Sequence, residues 1–393
     1  MADKKKVDEK KPAAKTPEPA KKPAAKDGDS AKKRTPTKSQ ADAAAKGDAK
    51  SPDAVDPTLV HMAVAWKYSR PLTACRYSPD GKYVFVGTED YTVQRIRLSD
   101  GRLTPLVGHE SWVRAIGFTP DSRTTLTAGY DGRILWWDTA AEKPTPLRTV
   151  QASDGWIRAL AVSPDGRYVA TAANDGHVRL HNISDGRLRA TGRRHDSHVY
   201  HVAFHPAGGE LASCDLKAQC KVWDVSKLAK ENDAYAADLK LVREFPFAPI
   251  YKYDTQFRAD IGGARSMAFG DGGKLLTAGG ISNVTNAFAG IGNATWVAVN
   301  FADGKQATVH ISKEKVNGTG WGIAWHPQGY WVAAGGGNQG GFLYFFKPGT
   351  DAEFFKFKLP DTARDLTLSP DGKSVAVAHF DGNLRVYRLG PKI

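Results

Sequence analysis

Four histidines fall within one short stretch, His195, His198, His201 and His205, and histidine is the commonest metal ligand among side chains. Their spacing argues against a shared ion. On an extended strand rising about 3.3 Å per residue, the outer two lie roughly 30 Å apart, and steps of three residues alternate faces. The run Gly335-Gly336-Gly337-Asn338-Gln339-Gly340 fits the glycine spacing of a dinucleotide loop. That motif works only where a strand hands over to a helix whose N-terminus meets the pyrophosphate. Here it joins two β-rich runs, 331–334 and 342–346, and reads as a hairpin. Residues 270–274 lack the spacing and the Ser/Thr of a phosphate-binding loop. Cys75, Cys214 and Cys220 have no metal-ligand spacing, and an odd count reads as reduced thiols of a cytoplasmic protein. There is no nucleophile elbow and no arguable pair of catalytic carboxylates. No metal, cofactor or enzymatic activity is expected. What remains is arginine. Arg114, Arg158, Arg265 and Arg364 occupy one place in a recurring apolar strand, and Thr73, Tyr200 and Trp321 hold that place in its other copies. Guanidinium forks bind carboxylates and phosphates bidentately, so four of them are useful only if the copies converge.

The unit that must bring them together is best preserved over residues 108–138. It opens on Gly108-His109, closes on Trp137-Asp138, and holds three short β-rich runs separated by turn residues. Its first turn recurs as Ser78-Pro79-Asp80-Gly81, Thr119-Pro120-Asp121, Ser163-Pro164-Asp165-Gly166, His205-Pro206, His326-Pro327 and Ser369-Pro370-Asp371-Gly372. Prolines 79, 120, 164 and 206 are 41, 44 and 42 residues apart, and 327 to 370 is 43. Such a period marks a stack of identical supersecondary units. A Gly-His start, a Trp-Asp end and a period in the low forties resemble the WD-repeat β-propeller family. The resemblance implies a buried hydrogen-bonded tetrad of His, Ser/Thr, Asp and Trp, which maps onto His109, Thr127, Asp131 and Trp137. The third unit offers Ser153, Thr171, Asp175 and His181. The fourth offers His195, Ser213 and Trp223, with Lys217 where the aspartate is expected.

The implied fold is all-β, a seven-bladed propeller over residues 58–393, preceded by a disordered basic tail over 1–57. Residues 59–66 alternate as a strand, and the chain ends on a unit of only three strands, 364–368, 374–378 and 383–389. An N-terminal strand completing the last blade would remove both exposed edges. The 121 residues between prolines 206 and 327 hold one convincing strand between 224 and 265, at 239–245, so seven blades fit best and eight is the alternative. The Ser-Pro-Asp-Gly turns then share one end, the bottom. Two long insertions share the top: a blade-to-blade connection at 246–263 and a loop at 281–295.

On this topology the recurrent arginines ring the top mouth of the central channel. Trp112, Trp156 and His198 stand two residues before the ring positions, while Tyr130, Asn174 and Phe380 precede the next turn's aspartate. The resemblance implies partner contact here, by a surface comprising Trp112, Arg114, Tyr130, Trp156, Arg158, Asn174, His198, Tyr200, Arg265, Trp321, Arg364 and Phe380. Arginine and aromatic side chains anchor protein interfaces, so the expected activity is non-catalytic docking of an acidic or phosphorylated peptide by a monomeric scaffold. Alternatively, repeat duplication copied an arginine that merely satisfies channel carbonyls. The tail carries fifteen basic and ten acidic residues and no aromatic. It cannot bury enough surface to order itself, and its net +5 leaves +8 of the total +13 on the body. A nucleic-acid-associated factor, with tail and arginine rim both meeting phosphates, is the second reading, and an enzyme with a channel site the third. No run of about eighteen apolar residues predicts a membrane span.

Overall fold

The structure is a computed structural model that describes residues 54–193, 195–228, 236–286, 291–314, 316–337 and 340–392. The expected disordered tail, apart from residues 54–57, lies outside them.

The β-rich runs pair into seven antiparallel four-stranded blades, the third extended by the short strand Ala237–Asp238 paired in parallel, and the last made of three consecutive strands completed by the N-terminal strand His61–Lys67 against Asn383–Arg388. The innermost strands are Leu72–Tyr77, Val113–Phe118, Ile157–Val162, Val199–Phe204, Ser266–Gly270, Thr319–His326 and Ala363–Leu368. Each lies against the next and the seventh against the first, so the sheets close into a ring of seven blades. The apolar faces are buried between neighbouring blades. Leu126, Ile134 and Trp136 pack on Ile157 and Val169 of the following blade, and Leu72, Val84 and Ile96 pack on Leu384 and Val386 across the closure. The body reaches upstream of residue 58: Asp56 N–H donates to the Leu389 carbonyl at 3.0 Å, Pro57 is buried, and Val55 packs beside Val60 on the last blade.

The bottom turns show why serine and aspartate recur two residues apart. Ser78 Oγ donates to Asp80 at 2.6 Å and accepts from the Tyr83 N–H at 3.0 Å; Ser163, Thr119 and Ser369 repeat the bond to the aspartate. The last turn position has φ near +70° in Gly81, Gly166 and Gly372, and Ser122 adopts φ 61° where its unit has no glycine.

In the second blade His109 bridges Asp131 and Thr127, both at 2.8 Å, and Trp137 Nε1 donates to Thr127 at 2.9 Å. The fourth blade repeats this network in full, which corrects the expectation at Lys217. His195 bonds Asp215 at 2.9 Å and Ser213 at 2.7 Å, and Trp223 donates to Ser213 at 2.8 Å. Asp215 stands two residues earlier, at the end of its strand, yet accepts the Gln219 N–H that closes the turn, as Asp131 accepts that of Arg133. Lys217 takes no part. In the third blade Ser153 Oγ donates to Asp175 at 3.1 Å and Arg179 joins the same carboxylate at 2.6 Å, as Arg385 pairs with Asp381 in the last. His181 in the tryptophan slot is held neutral, its pKa lowered to about 4 by burial and by Arg179. Removing one member of an intact network strands buried polar partners, so His109→Ala and His195→Ala should each cost roughly 1–3 kcal/mol in urea unfolding. Lys217→Ala should be near neutral, and a loss there equal to that of His195→Ala would refute the reassignment.

Two loop expectations also change. The described part of 281–295 is strand: Leu275–Asn286 and Ile291–Asn300 continue past the blade as a paired arm. Asn283, at φ 51°, sits in the register break between Ser282 and Asn286, and asparagine tolerates this left-handed region. Within 246–263 the strands Tyr251–Asp254 and Ala259–Gly262 pair as a separate hairpin. The glycine-rich run behaves as read, with Gly337 paired to Gly340 between two strands.

Candidate anion-binding mouth

Six of the seven innermost strands slip register near their start. The breaks fall between Leu72 and Ala74, Val113 and Ala115, Ile157 and Ala159, Val199 and His201, Gly320 and Gly322, and Ala363 and Asp365. The residues passed over are Thr73, Arg114, Arg158, Tyr200, Trp321 and Arg364. A bulge frees one residue from the ladder and re-aims its side chain; here Arg114, Arg158, Trp321 and Arg364 line the central cavity. In the fifth blade Arg265 reaches the same cavity from just before its strand, its N–H donating to the Gly279 carbonyl at 2.7 Å.

Guanidiniums and rings then alternate around the mouth. Tyr130 stacks on Trp156, centroids 4.4 Å apart and planes 6° apart, and on Trp112 at 6.0 Å. Arg158 lies 5.6 Å from the Trp156 centroid and 4.4 Å from that of Tyr200, whose ring also meets Arg265 at 4.4 Å. Trp321 stands between Arg265 at 6.0 Å and Arg364 at 5.5 Å, and Phe380 lies 5.1 Å beyond. Cation–π contact of this kind braces the guanidiniums without neutralising them. Asn174 joins the mouth through Arg158, and its carbonyl is bonded by exposed His198. Eleven of the twelve expected residues are joined by these contacts and Arg114 lines the same cavity, with Trp156 and Phe380 about half exposed, at 48% and 50%. Thr73 turns away, its hydroxyl spent on the Val113 carbonyl, and Arg114 bonds the Thr73 carbonyl in turn. That last contact is the carbonyl-satisfying role weighed against binding, and it belongs to Arg114 alone among the four.

Sequence reading missed the acids and the deeper layer. Glu89 pairs with Arg364 at 3.3 Å. Inside the channel Asp365 accepts Arg76 at 2.6 Å and the Cys75 N–H at 3.0 Å. Both Arg76 and Asp365 stand off the aligned position, by three residues and by one, so a single-column alignment passes over them. The field is strongly positive. Burial, then Arg158 and Arg114, press the pKa of Arg265 down against the opposing effect of Tyr200. Burial, Arg76 and Arg114 push His201 down to about 3, leaving it neutral. The remaining clustered histidines scatter: His195 is in its tetrad and His205 stacks on Phe301 at 5.3 Å. Among the described residues no group of three or more His, Cys, Asp or Glu could hold a metal, and no helix is long and apolar enough to cross a membrane.

Against this geometry the family profile for the WD domain, G-beta repeat matches residues 65–94, 101–138, 144–182 and 186–224. Four units of this seven-bladed propeller are WD repeats. The matched segments end where the polar tetrads give way to aromatic packing, as in the propeller's fifth and sixth blades. There Trp296 lies 5.3 Å from Tyr344 and spends its Nε1 on the Gly322 carbonyl. Similar proteins include the COMPASS component SWD3 of Saccharomyces cerevisiae, 28% identical over 22% of this chain and 27% of that protein. Echinoderm microtubule-associated protein-like 2 of Homo sapiens is 31% identical over 21% of this chain and 13% of its own length. The periodic tryptophan protein 2 homolog of Dictyostelium discoideum is 24% identical over 40% of this chain and 18% of its own. The chain thus spans well under a third of each of these relatives, and the likeness is one of repeats.

Proposed function

We propose that this WD-repeat propeller is a non-catalytic interaction scaffold whose top face captures an anionic segment of a partner protein. The observation that carries the reading is the rim: four arginines come from four blades, Arg158, Arg265 and Arg364 alternate with aromatic rings, and Arg114, Arg158 and Arg265 have no ion-pair partner among the described residues. Unneutralised guanidiniums on a concave surface raise the local concentration of anions and steer their approach. The adjoining half-exposed Trp156 and Phe380 supply apolar anchorage of the kind that dominates interface energetics. Relatives named as a complex component and as microtubule-associated proteins are consistent with protein partners for this chain.

The test is a peptide array of acidic, phosphorylated, neutral and basic segments probed with the full chain. Acidic or phosphorylated spots should be retained and basic ones lost. A parallel gel-shift assay with DNA and RNA addresses the nucleic-acid reading suggested by the net charge of +13. That reading requires affinity falling with salt at a log–log slope near −0.9 per phosphate neutralised. Retention of nucleic acid by residues 54–393 with no retention of acidic peptides would reverse the proposal.

A further inference from the structure

Beneath the rim the channel widens into a cavity of about 240 Å³, lined by Arg76, Arg114, Arg158, Arg265, Arg364 and Asp365 among others. Asp365 is engaged by Arg76 at 2.6 Å and Glu89 by Arg364 at 3.3 Å. Arg114, Arg158 and Arg265 have no carboxylate partner among the described residues; their guanidiniums meet a backbone carbonyl, an asparagine and tyrosine rings instead. The five arginines against two acids leave three positive charges uncompensated at one cavity, and its histidine, His201, adds a neutral ring. Charges partly withdrawn from water are stabilised by a counter-charge, and among the described residues none pairs with these three.

We propose that the channel cavity is a phosphate-dianion site, taking inorganic phosphate or a phosphate monoester on a peptide side chain. Arg114, Arg158 and Arg265 come from three different blades and line the one cavity. A carboxylate offers one charge and two oxygens in one plane, so it can face only one such fork squarely. A tetrahedral dianion offers two charges and oxygens on several sides, and satisfies forks that share no plane. The surroundings also allow for a monoester borne on a chain. Arg265 is shared with a surface depression lined by Tyr200, Leu216, Phe257, Asp260 and Ile261, and Trp321 and Arg364 with another lined by Gly337, Asp361 and Phe380. Residues flanking a phosphorylated side chain thereby find a depression on either side, each with an aromatic ring, Phe257 or Phe380, and one aspartate. This peptide arm rests on the top-face reading; the inorganic phosphate arm does not.

The experiment is calorimetric titration of the full chain at fixed ionic strength with sodium phosphate, sodium acetate, and capped Ala-phosphoserine-Ala and Ala-Asp-Ala. At about pH 7.5, where a phosphate monoester is dianionic, phosphate and the phosphopeptide should bind at one site, with acetate and the aspartyl peptide at least about tenfold weaker. Tighter binding of the phosphopeptide than of inorganic phosphate assigns the source to a modified side chain; the reverse order assigns it to the free ion. At about pH 5, where the monoester is largely monoanionic, affinity should fall. Arg265→Met should weaken phosphate about tenfold, with Arg265→Lys recovering only part, since lysine keeps the charge and loses the fork. Equal binding of acetate and phosphate, or no binding of either, overturns the dianion site on the wild-type chain alone, even if Arg265→Met fails to fold. If acidic peptides still bind the rim in that case, the scaffold reading stands without it.

Discussion

Removing residues 1–67 is expected to abolish the cooperative thermal transition of the propeller, while removing residues 1–53 should leave the melting temperature within about 2 °C. The difference lies in the closure. His61–Lys67 pairs with Asn383–Arg388 from His61 opposite Arg388 to Lys67 opposite Asn383, with one register slip between Met62 and Val64, and is the outer strand of the seventh blade. Without it the strand Asn383–Arg388 becomes an open edge, a template for pairing with other chains. Its approach segment is also committed. Val60 is buried against Leu389 and Tyr387, Tyr68 N–H donates to the Gly382 carbonyl at 2.8 Å, and Trp66 packs on the cluster joining the first and last blades. The shorter deletion touches none of these and removes a segment with no aromatic residue. Circular dichroism melts with gel filtration distinguish the outcomes: loss of the transition and a shift to large species for the longer deletion, neither for the shorter. A folded monomer lacking residues 1–67 would mean that the three-strand blade holds the ring by itself.

How much of this was legible in the sequence depends on whether the relevant physics is local. The period, the Ser-Pro-Asp-Gly turns and the closing strand were, because turn chemistry is written in adjacent residues and an odd strand at each end needs a partner. Asp215 was not. Counting from the second unit puts the aspartate two positions after it, at Lys217, and only the path of the turn shows that Asp215 reaches His195. The paired arm over 281–286 and 291–295 was hidden by Asn, Ser and Gly residues that read as loop. Long-range pairing of Ile281 with Ala294 and Ser282 with Asn293 overrides that local preference.

The rim was legible as a column of residue types but not as a mechanism. Aligning Arg114, Arg158, Arg265 and Arg364 finds residues in equivalent places. It does not show that a bulge stands at six of the seven strand starts, and it is the bulge that turns each such side chain out of the ladder. Nor does one column expose the second layer, Arg76 with Asp365, which sits at other offsets and whose pairing is a contact between the first and last blades. Chemistry between distant blades becomes visible only when the ring is closed.

Arg158→Glu combined with Arg364→Glu is expected to abolish capture of acidic or phosphorylated segments while the fold persists. Both side chains are half-buried at the rim, in different blades, and neither belongs to a tetrad. Arg158 faces Tyr130, Trp156 and Tyr200, so reversal replaces three ring contacts with a carboxylate beside aromatic faces. Arg364 faces Trp321 and Phe380 and carries Glu89 at 3.3 Å, so reversal there sets two carboxylates against each other. Together the two changes shift the mouth by four charge units, which exceeds the three uncompensated charges of the cavity and turns its field from attractive to repulsive for anions. Lysine at both positions should restore only part of the affinity, because the planar fork and its stacking are lost. The control is Lys82→Glu with Arg123→Glu, an equal reversal in exposed bottom turns, where each side chain pairs only with the aspartate of its own turn. Fluorescence anisotropy with a labelled acidic peptide retained on the array, together with thermal melts of all variants, gives the comparison. Loss in the rim variant, with binding in the bottom variant unchanged and similar melting temperatures, is the expected result. Loss in the bottom variant with retention in the rim variant would place the working surface at the other end of the channel.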